Sequence, residues 1–128
     1  MKYLGVDWGL NKIGLAVSDG DIASSYRVLN VQKNSLYEAV AKIAAIVKSR
    51  EVEYVILGKP EGKMGEIVEK VTVALKKEGL NVILVDETLS TQNAKKMMAE
   101  MGFKRKARQN DDAVSAAIIL QSFLDEKT

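Results

Sequence analysis

The chain has 128 residues, a length that suits one domain, residues 1–128, since domains commonly run to about 100–200 residues. It contains no cysteine and no histidine, which excludes disulfides, thiolate catalysis, Ser-His-Asp triads and zinc sites built on His or Cys. Polar catalysis must then fall to carboxylates, lysines, hydroxyls or a metal held by oxygen. The net charge is only +2, from 19 basic and 17 acidic residues, but it is unevenly spread. Lys104, Arg105, Lys106 and Arg108 crowd four positive charges together, and without them the chain would carry −2. A basic cluster on a slightly acidic body points to a local phosphate contact. No apolar run approaches the roughly 18 residues that span a bilayer, and no secretory signal is visible. A cytoplasmic protein with no membrane contact is expected.

The elements alternate along the chain. Residues 2–7 form a short apolar strand, residues 7–12 a turn, and residues 13–18 a second strand stopped by Asp19-Gly20. A third strand is predicted over 26–31. Turns this short make the three an antiparallel meander. Asn34 or Ser35 caps a helix on which Leu36, Val40, Ile43, Ala44 and Val47 recur at helical spacing. Residues 54–57 are continuously apolar, as a central strand buried on both faces should be. A glycine-rich loop over 58–65 leads to a helix with Ile67, Val68, Val71 and Leu75 on one face and Gly79 as its stop. Residues 82–85 form another buried strand, ending at Asp86-Glu87. Ser90 or Thr91 caps a helix bearing Ala94, Met97, Met98 and Met101. After the basic segment, Asp111 or Asp112 opens a last helix with the stripe Ala113, Ala116, Ala117, Leu120 and Leu124. The order β-β-β-α-β-α-β-α-α predicts an α/β fold: a mixed five-stranded sheet, order 3-2-1-4-5, with helices on both faces. This order resembles the ribonuclease H-like fold.

Three acids fall where chemistry would need them. Asp7 ends the first strand, Glu87 follows the fifth, and Asp112 sits in the first turn of the last helix. Open sheets of this kind bind ligands beyond the carboxyl ends of their parallel strands. With the predicted order, the tips of strands one and five are about 10 Å apart, two strand spacings. Strand four ends between them in Gly58, which has no side chain to fill the space. Asp112 completes an oxygen-only cluster, and such clusters suit Mg²⁺ or Mn²⁺. Two such ions about 3.5–4 Å apart drive phosphodiester hydrolysis without a histidine. Asp111 and Asp112 are both good helix caps, and spacing alone does not separate the cap from the ligand.

Four blocks of sequence carry a family resemblance. Asp7-Trp8-Gly9-Leu10-Asn11-Lys12-Ile13-Gly14-Leu15-Ala16-Val17-Ser18-Asp19 resembles the first motif of the YqgF family, also called RuvX. Gly58-Lys59-Pro60 resembles its Gly-x-Pro loop. Asp86-Glu87-Thr88-Leu89-Ser90-Thr91 and the run from Asp112 to Gln121 resemble its last two motifs, so the likeness covers nearly the whole chain in order. Trp8 stands where Phe, Tyr or Pro is usual, Thr88 replaces a common Arg, and the stretch 61–65 differs from the family pattern. The resemblance implies a ribonuclease H-like nuclease related to RuvC-type resolvases and associated with 5′-end maturation of pre-16S ribosomal RNA. It implies catalytic and metal-binding roles for Asp7, Glu87 and Asp112.

The stretch from Gly58 to Lys63 sits between a strand and a helix but is one residue short of a P-loop, and Met64 replaces the magnesium-binding hydroxyl. A nucleotide-triphosphate site is therefore not expected there. Lys12 and Lys59, together with the cluster Lys104, Arg105, Lys106 and Arg108, are the candidate phosphate contacts. The leading expectation is a metal-dependent nuclease acting on structured RNA, as a monomer or homodimer. The rivals are a junction-resolving endonuclease on branched DNA, a nucleic-acid binder that does not cut, and an actin- or sugar-kinase-like ATPase. Length counts against the last, whose clan places two such domains around the nucleotide.

Overall fold

Apolar runs too short for helices become the inner strands, and runs with helical spacing cover them. A computed structural model describes residues 1–31, 36–86 and 111–127. In chain order these hold β1 (Lys2–Trp8), β2 (Lys12–Asp19), β3 (Ala23–Asn30), α1 (Leu36–Ser49), β4 (Tyr54–Lys59), α2 (Lys63–Lys77), β5 (Val82–Asp86) and α3 (Asp111–Lys127). The helix expected over 90–101 and the caps expected at Asn34 or Ser35 lie outside the described residues.

The five strands form one sheet in the order β3-β2-β1-β4-β5, as the element order predicts. β1 runs antiparallel to β2 and parallel to β4, which in turn runs parallel to β5. Strand alternation sorts the side chains to two faces. Leu4, Val6, Ile13, Leu15, Val55 and Leu57 pack with α1 and α2 in one core. Tyr3, Ala16 and Ile56 pack with Ala116, Ile119, Leu120 and Leu124 of α3 in another. Helices therefore cover both faces. Each fully buried Leu, Ile or Val contributes roughly 1.5–3 kcal/mol relative to exposure.

Three local expectations are corrected. β3 begins at Ala23, three residues before the predicted start. Its first turn of sequence, Ala23-Ser24-Ser25, lacks apolar alternation because β3 is an edge strand with exposed serines. That end is held instead by a side chain of α3. Gln121 Oε1 accepts from the Ala23 amide at 2.9 Å, and Gln121 Nε2 donates to the Asp21 carbonyl at 2.9 Å. The loop predicted over 58–65 is shorter, because β4 continues through Lys59 and α2 starts at Lys63. Gly62 occupies the N-cap with φ 78° and makes no side-chain cap bond, so the usual Ser/Asp start signal is missing. α3 buries more than the predicted stripe. Val114, Ile118 and Ile119 are also buried, as befits a helix apolar on more than one face.

The end of α1 carries a strained residue. Glu51 has φ 56°, and the Val52 amide bonds back to the Val47 carbonyl at 3.0 Å. This is a Schellman stop with glutamate where glycine is favoured. Glu51→Gly is expected to raise stability by up to about 1 kcal/mol, the left-handed penalty less the added freedom of the unfolded glycine. A thermal melt reads the result, and an unchanged or lowered midpoint would show that the Glu51 side chain compensates its backbone. At the far end of α3, the Lys127 ammonium donates to the Tyr3 hydroxyl, which holds its pKa above the usual lysine value.

Candidate active site at the end of the first strand

Asp7 lies one residue before the end of β1 and is half-buried. It shares the alternation of Tyr3 and Gly5, so it belongs to the face that α3 covers. Its direct partner across the antiparallel ladder is Gly14 of β2. A paired Cα lies about 4.5–5.5 Å away in such a ladder. Gly14 is where the last helix lands. A Cβ built on Gly14 would stand 1.7 Å from the Asp112 carbonyl oxygen and 2.9 Å from the Ala113 nitrogen. The first turn of α3 thus rests directly on the backbone beside Asp7, and only glycine permits that approach. Asp112, half-exposed in that turn, is brought to the same place. Two of the three sequence-predicted acids are therefore positioned by one glycine. Glu87 lies outside the described residues; the chain reaches it directly from Asp86, the last residue of β5.

From that landing point α3 crosses the sheet. Ala116 and Leu120 lie over Gly5 of β1, and Ile119 lies over Gly58 of β4. The space above Gly58 is consequently not open, as the sequence suggested. A Cβ there would meet Ile119 Cδ1 at 2.8 Å. Gly58 serves helix packing, and the strand runs on past it to Lys59.

The candidate phosphate contacts divide between the faces. Lys12, exposed at the start of β2, precedes Gly14 by two residues and shares its face and its end of the sheet. The hairpin that presents it is fixed, since the Gly9 amide donates to the Lys12 carbonyl and the Val31 amide to the Asn11 carbonyl, both at 3.0 Å. Lys59 shares the alternation of Val55 and Leu57 and lies on the α2 side. Its ammonium pairs with Glu69 of α2 at 2.6 Å. The pair is exposed and worth at most about 1 kcal/mol, but it turns Lys59 away from the acids. A groove of about 680 Å³ there is lined by Lys59 together with Glu61, Glu66, Glu69 and Asp86, a net negative surface that repels phosphate. Lys104, Arg105, Lys106 and Arg108 lie outside the described residues.

Among the described residues no three acids stand as a metal-binding group. The Asp112 backbone lands on Gly14, the ladder partner of Asp7, and in a chain without histidine or cysteine the carboxylates of two such neighbouring residues are donors of the kind that fit a hard divalent cation such as Mg²⁺ or Mn²⁺. Sequence reasoning missed Gly14 as the positioning residue and Ile119 as the filler over Gly58. A glycine inside an apolar strand is itself a signal of close backbone approach, and Ile13-Gly14-Leu15 carried it. Among the described residues no helix is long and apolar enough to cross a membrane.

Comparison with known proteins gives a consistent result. The family described as "RuvX: Holliday junction resolvase" matches residues 1–126. A protein of Endomicrobium trichonymphae named "Putative pre-16S rRNA nuclease" is 35% identical over 133 residues, covering 97% of this chain and 95% of its own. Thermus thermophilus RuvC, solved in complex with a Holliday junction substrate, superposes with a TM-score of 0.68 at 20% identity, covering 100% and 97% of the two chains. The fowlpox virus Holliday junction resolvase superposes with a TM-score of 0.65 at 16% identity over the full length of both. The architecture is the ribonuclease H-like fold of these resolvases.

Proposed function

The chain belongs to the RuvX family, and from that premise we propose that it is a metal-dependent nuclease hydrolysing phosphodiester bonds in 5′-end processing of pre-16S ribosomal RNA. The observation that supports the reading is the landing of the Asp112 backbone on Gly14, the ladder partner of Asp7. Glu87, next in the chain after β5, is the third acid of the set. A bound Mg²⁺ or Mn²⁺ would supply an activated water and charge neutralisation at the leaving oxygen. The protein's own part is to fix the carboxylates on a rigid sheet end, so that the reacting phosphate meets them in one geometry. Lys12 reaches that end from the neighbouring strand and orients the phosphate. Lys59 contributes only by giving up Glu69.

A second reading has support from a specific observation. The neighbours of this fold include a resolvase solved on a Holliday junction. A junction-resolving enzyme needs two active sites related by a two-fold axis, whereas an end-processing nuclease does not. The test is cleavage of a pre-rRNA fragment and of a four-way DNA junction under the same conditions, with a solution mass beside it. Mg²⁺ or Mn²⁺ is expected to support cleavage of the RNA at a defined 5′ position. Ca²⁺ is expected to bind and support it poorly, because its looser coordination misplaces the attacking water. Cleavage of the junction alone, by a dimer, would replace the first reading by the second. Undiminished cleavage in excess EDTA would remove the metal from both.

The segment 104–108 leads directly into the helix that bears Asp112, so a substrate gripped there lies beside the acids. Each phosphate contact contributes roughly −0.7 to −0.9 to the slope of log affinity against log salt. Replacing Lys104, Arg105, Lys106 and Arg108 by Gln is expected to weaken binding and lower that slope by about 1.5 if two of them touch phosphate. Sequence preference should hardly move, since phosphate contacts position rather than specify. A slope unchanged within error would place the path along Lys12 instead.

A further inference from the structure

The opposite end of the sheet holds a second place suited to phosphate. A cleft of about 450 Å³ opens between the C-terminal end of α1 and the ends of β1, β2 and β3. Its polar lining includes Lys2, Ser24, Ser49, Arg50 and Asp19. Lys2 lies five residues before Asp7 on β1, about 17 Å along the strand. The cleft is therefore remote from the acids.

Three observations make it an anion site. Among the described residues, neither Lys2 nor Arg50 forms an ion pair, although Asp19 lines the same cleft. Two cations with one carboxylate leave the cleft net positive. Arg50 is also held in place. Its guanidinium lies 4.6 Å from the Tyr26 ring centroid, and that of Arg27 lies 4.7 Å from the same centroid. A guanidinium stacked on a ring keeps its N–H edge free, and that edge is a fork that fits phosphate oxygens. The hydroxyls of Ser24 and Ser49 add neutral donors beside it. Finally, the edge between this cleft and the candidate active site is free of acids. β3 reads Ala-Ser-Ser-Tyr-Arg-Val-Leu-Asn, and Lys12 pairs with Asn30 at its far end.

We propose that the cleft lined by Lys2, Arg50, Ser24 and Ser49 binds a phosphate group, with the backbone of a polynucleotide that follows the β3 edge as its source. The site is separate from the catalytic reading, because it is detected by binding and not by cleavage. The same chemistry would accept a free mononucleotide, and the experiment separates the two.

The wild-type protein and the Lys2→Gln/Arg50→Gln variant are titrated with inorganic phosphate, with AMP, with a short RNA oligonucleotide, and with one long enough to reach from Asp7 to the cleft. The expected result is a three- to tenfold loss of affinity for the long RNA alone. Its salt slope should fall by about 1.4, two contacts at the single-strand value. Loss of AMP or inorganic phosphate binding in the variant, with the long RNA unaffected, keeps the phosphate site and makes a free ligand its source. A Lys2→Arg/Arg50→Lys variant retains both charges but loses the Arg50 fork; it should keep the wild-type salt slope and recover part of the lost affinity, which guards against a folding artefact. Identical binding of all four ligands by the wild type and the Gln variant overturns the proposal. Failure of the wild type to bind any of them does the same.

Discussion

Asp7→Asn is expected to lower cleavage by two or more orders of magnitude while leaving the fold intact. The substitution is nearly isosteric and removes one ionised carboxylate from the tip of β1. It stays within a half-buried position whose neighbours are set by the ladder to Gly14 and by α3 above it. Nothing else at that tip can substitute, since the chain has no histidine and the adjacent strand offers only Lys12. The variant should melt cooperatively near the wild-type temperature and still bind nucleic acid. Cleavage near the wild-type rate would remove Asp7 from the chemistry.

Gly14→Ala is expected to have an effect of similar size by a different route. The new methyl would stand 1.7 Å from the Asp112 carbonyl, where van der Waals contact needs about twice that distance. The helix start must lift, and Asp112 moves with it. A displacement near 1 Å in a catalytic group costs on the order of 10²-fold in rate. The overpacking itself should destabilise by about 1–3 kcal/mol. The discriminating measurement is the rate well below the melting temperature, where the variant is fully folded. A wild-type rate there, with only a lowered melting temperature, would mean that the approach of α3 to β2 does not position Asp112.

These two residues show how far the sequence could be read. Asp7 was legible because a strand of buried residues ends beside it, and Asp112 because it opens an apolar helix. The sheet order followed from three short turns and two helical crossovers. What a helix touches on the sheet is a different kind of information. Gly14 and Gly58 look alike in the sequence, and only the path of α3 decides that one receives Asp112 and the other Ile119. Lys59 and Glu69 are ten residues apart, and their pairing depends on α2 folding back along β4. β3 was misjudged at its start because an edge strand held by Gln121 needs no apolar alternation there.

That side-chain clamp also ties two distant parts of the molecule into one cooperative unit. Gln121 sits nine residues beyond Asp112 on α3 and holds both sides of the β2–β3 turn. The Ala23 amide donates to the side chain of the helix residue Gln121. It can exchange with solvent only when α3 releases the turn. Its protection against hydrogen exchange therefore measures, from the far edge of the sheet, how firmly the acid-bearing helix is docked.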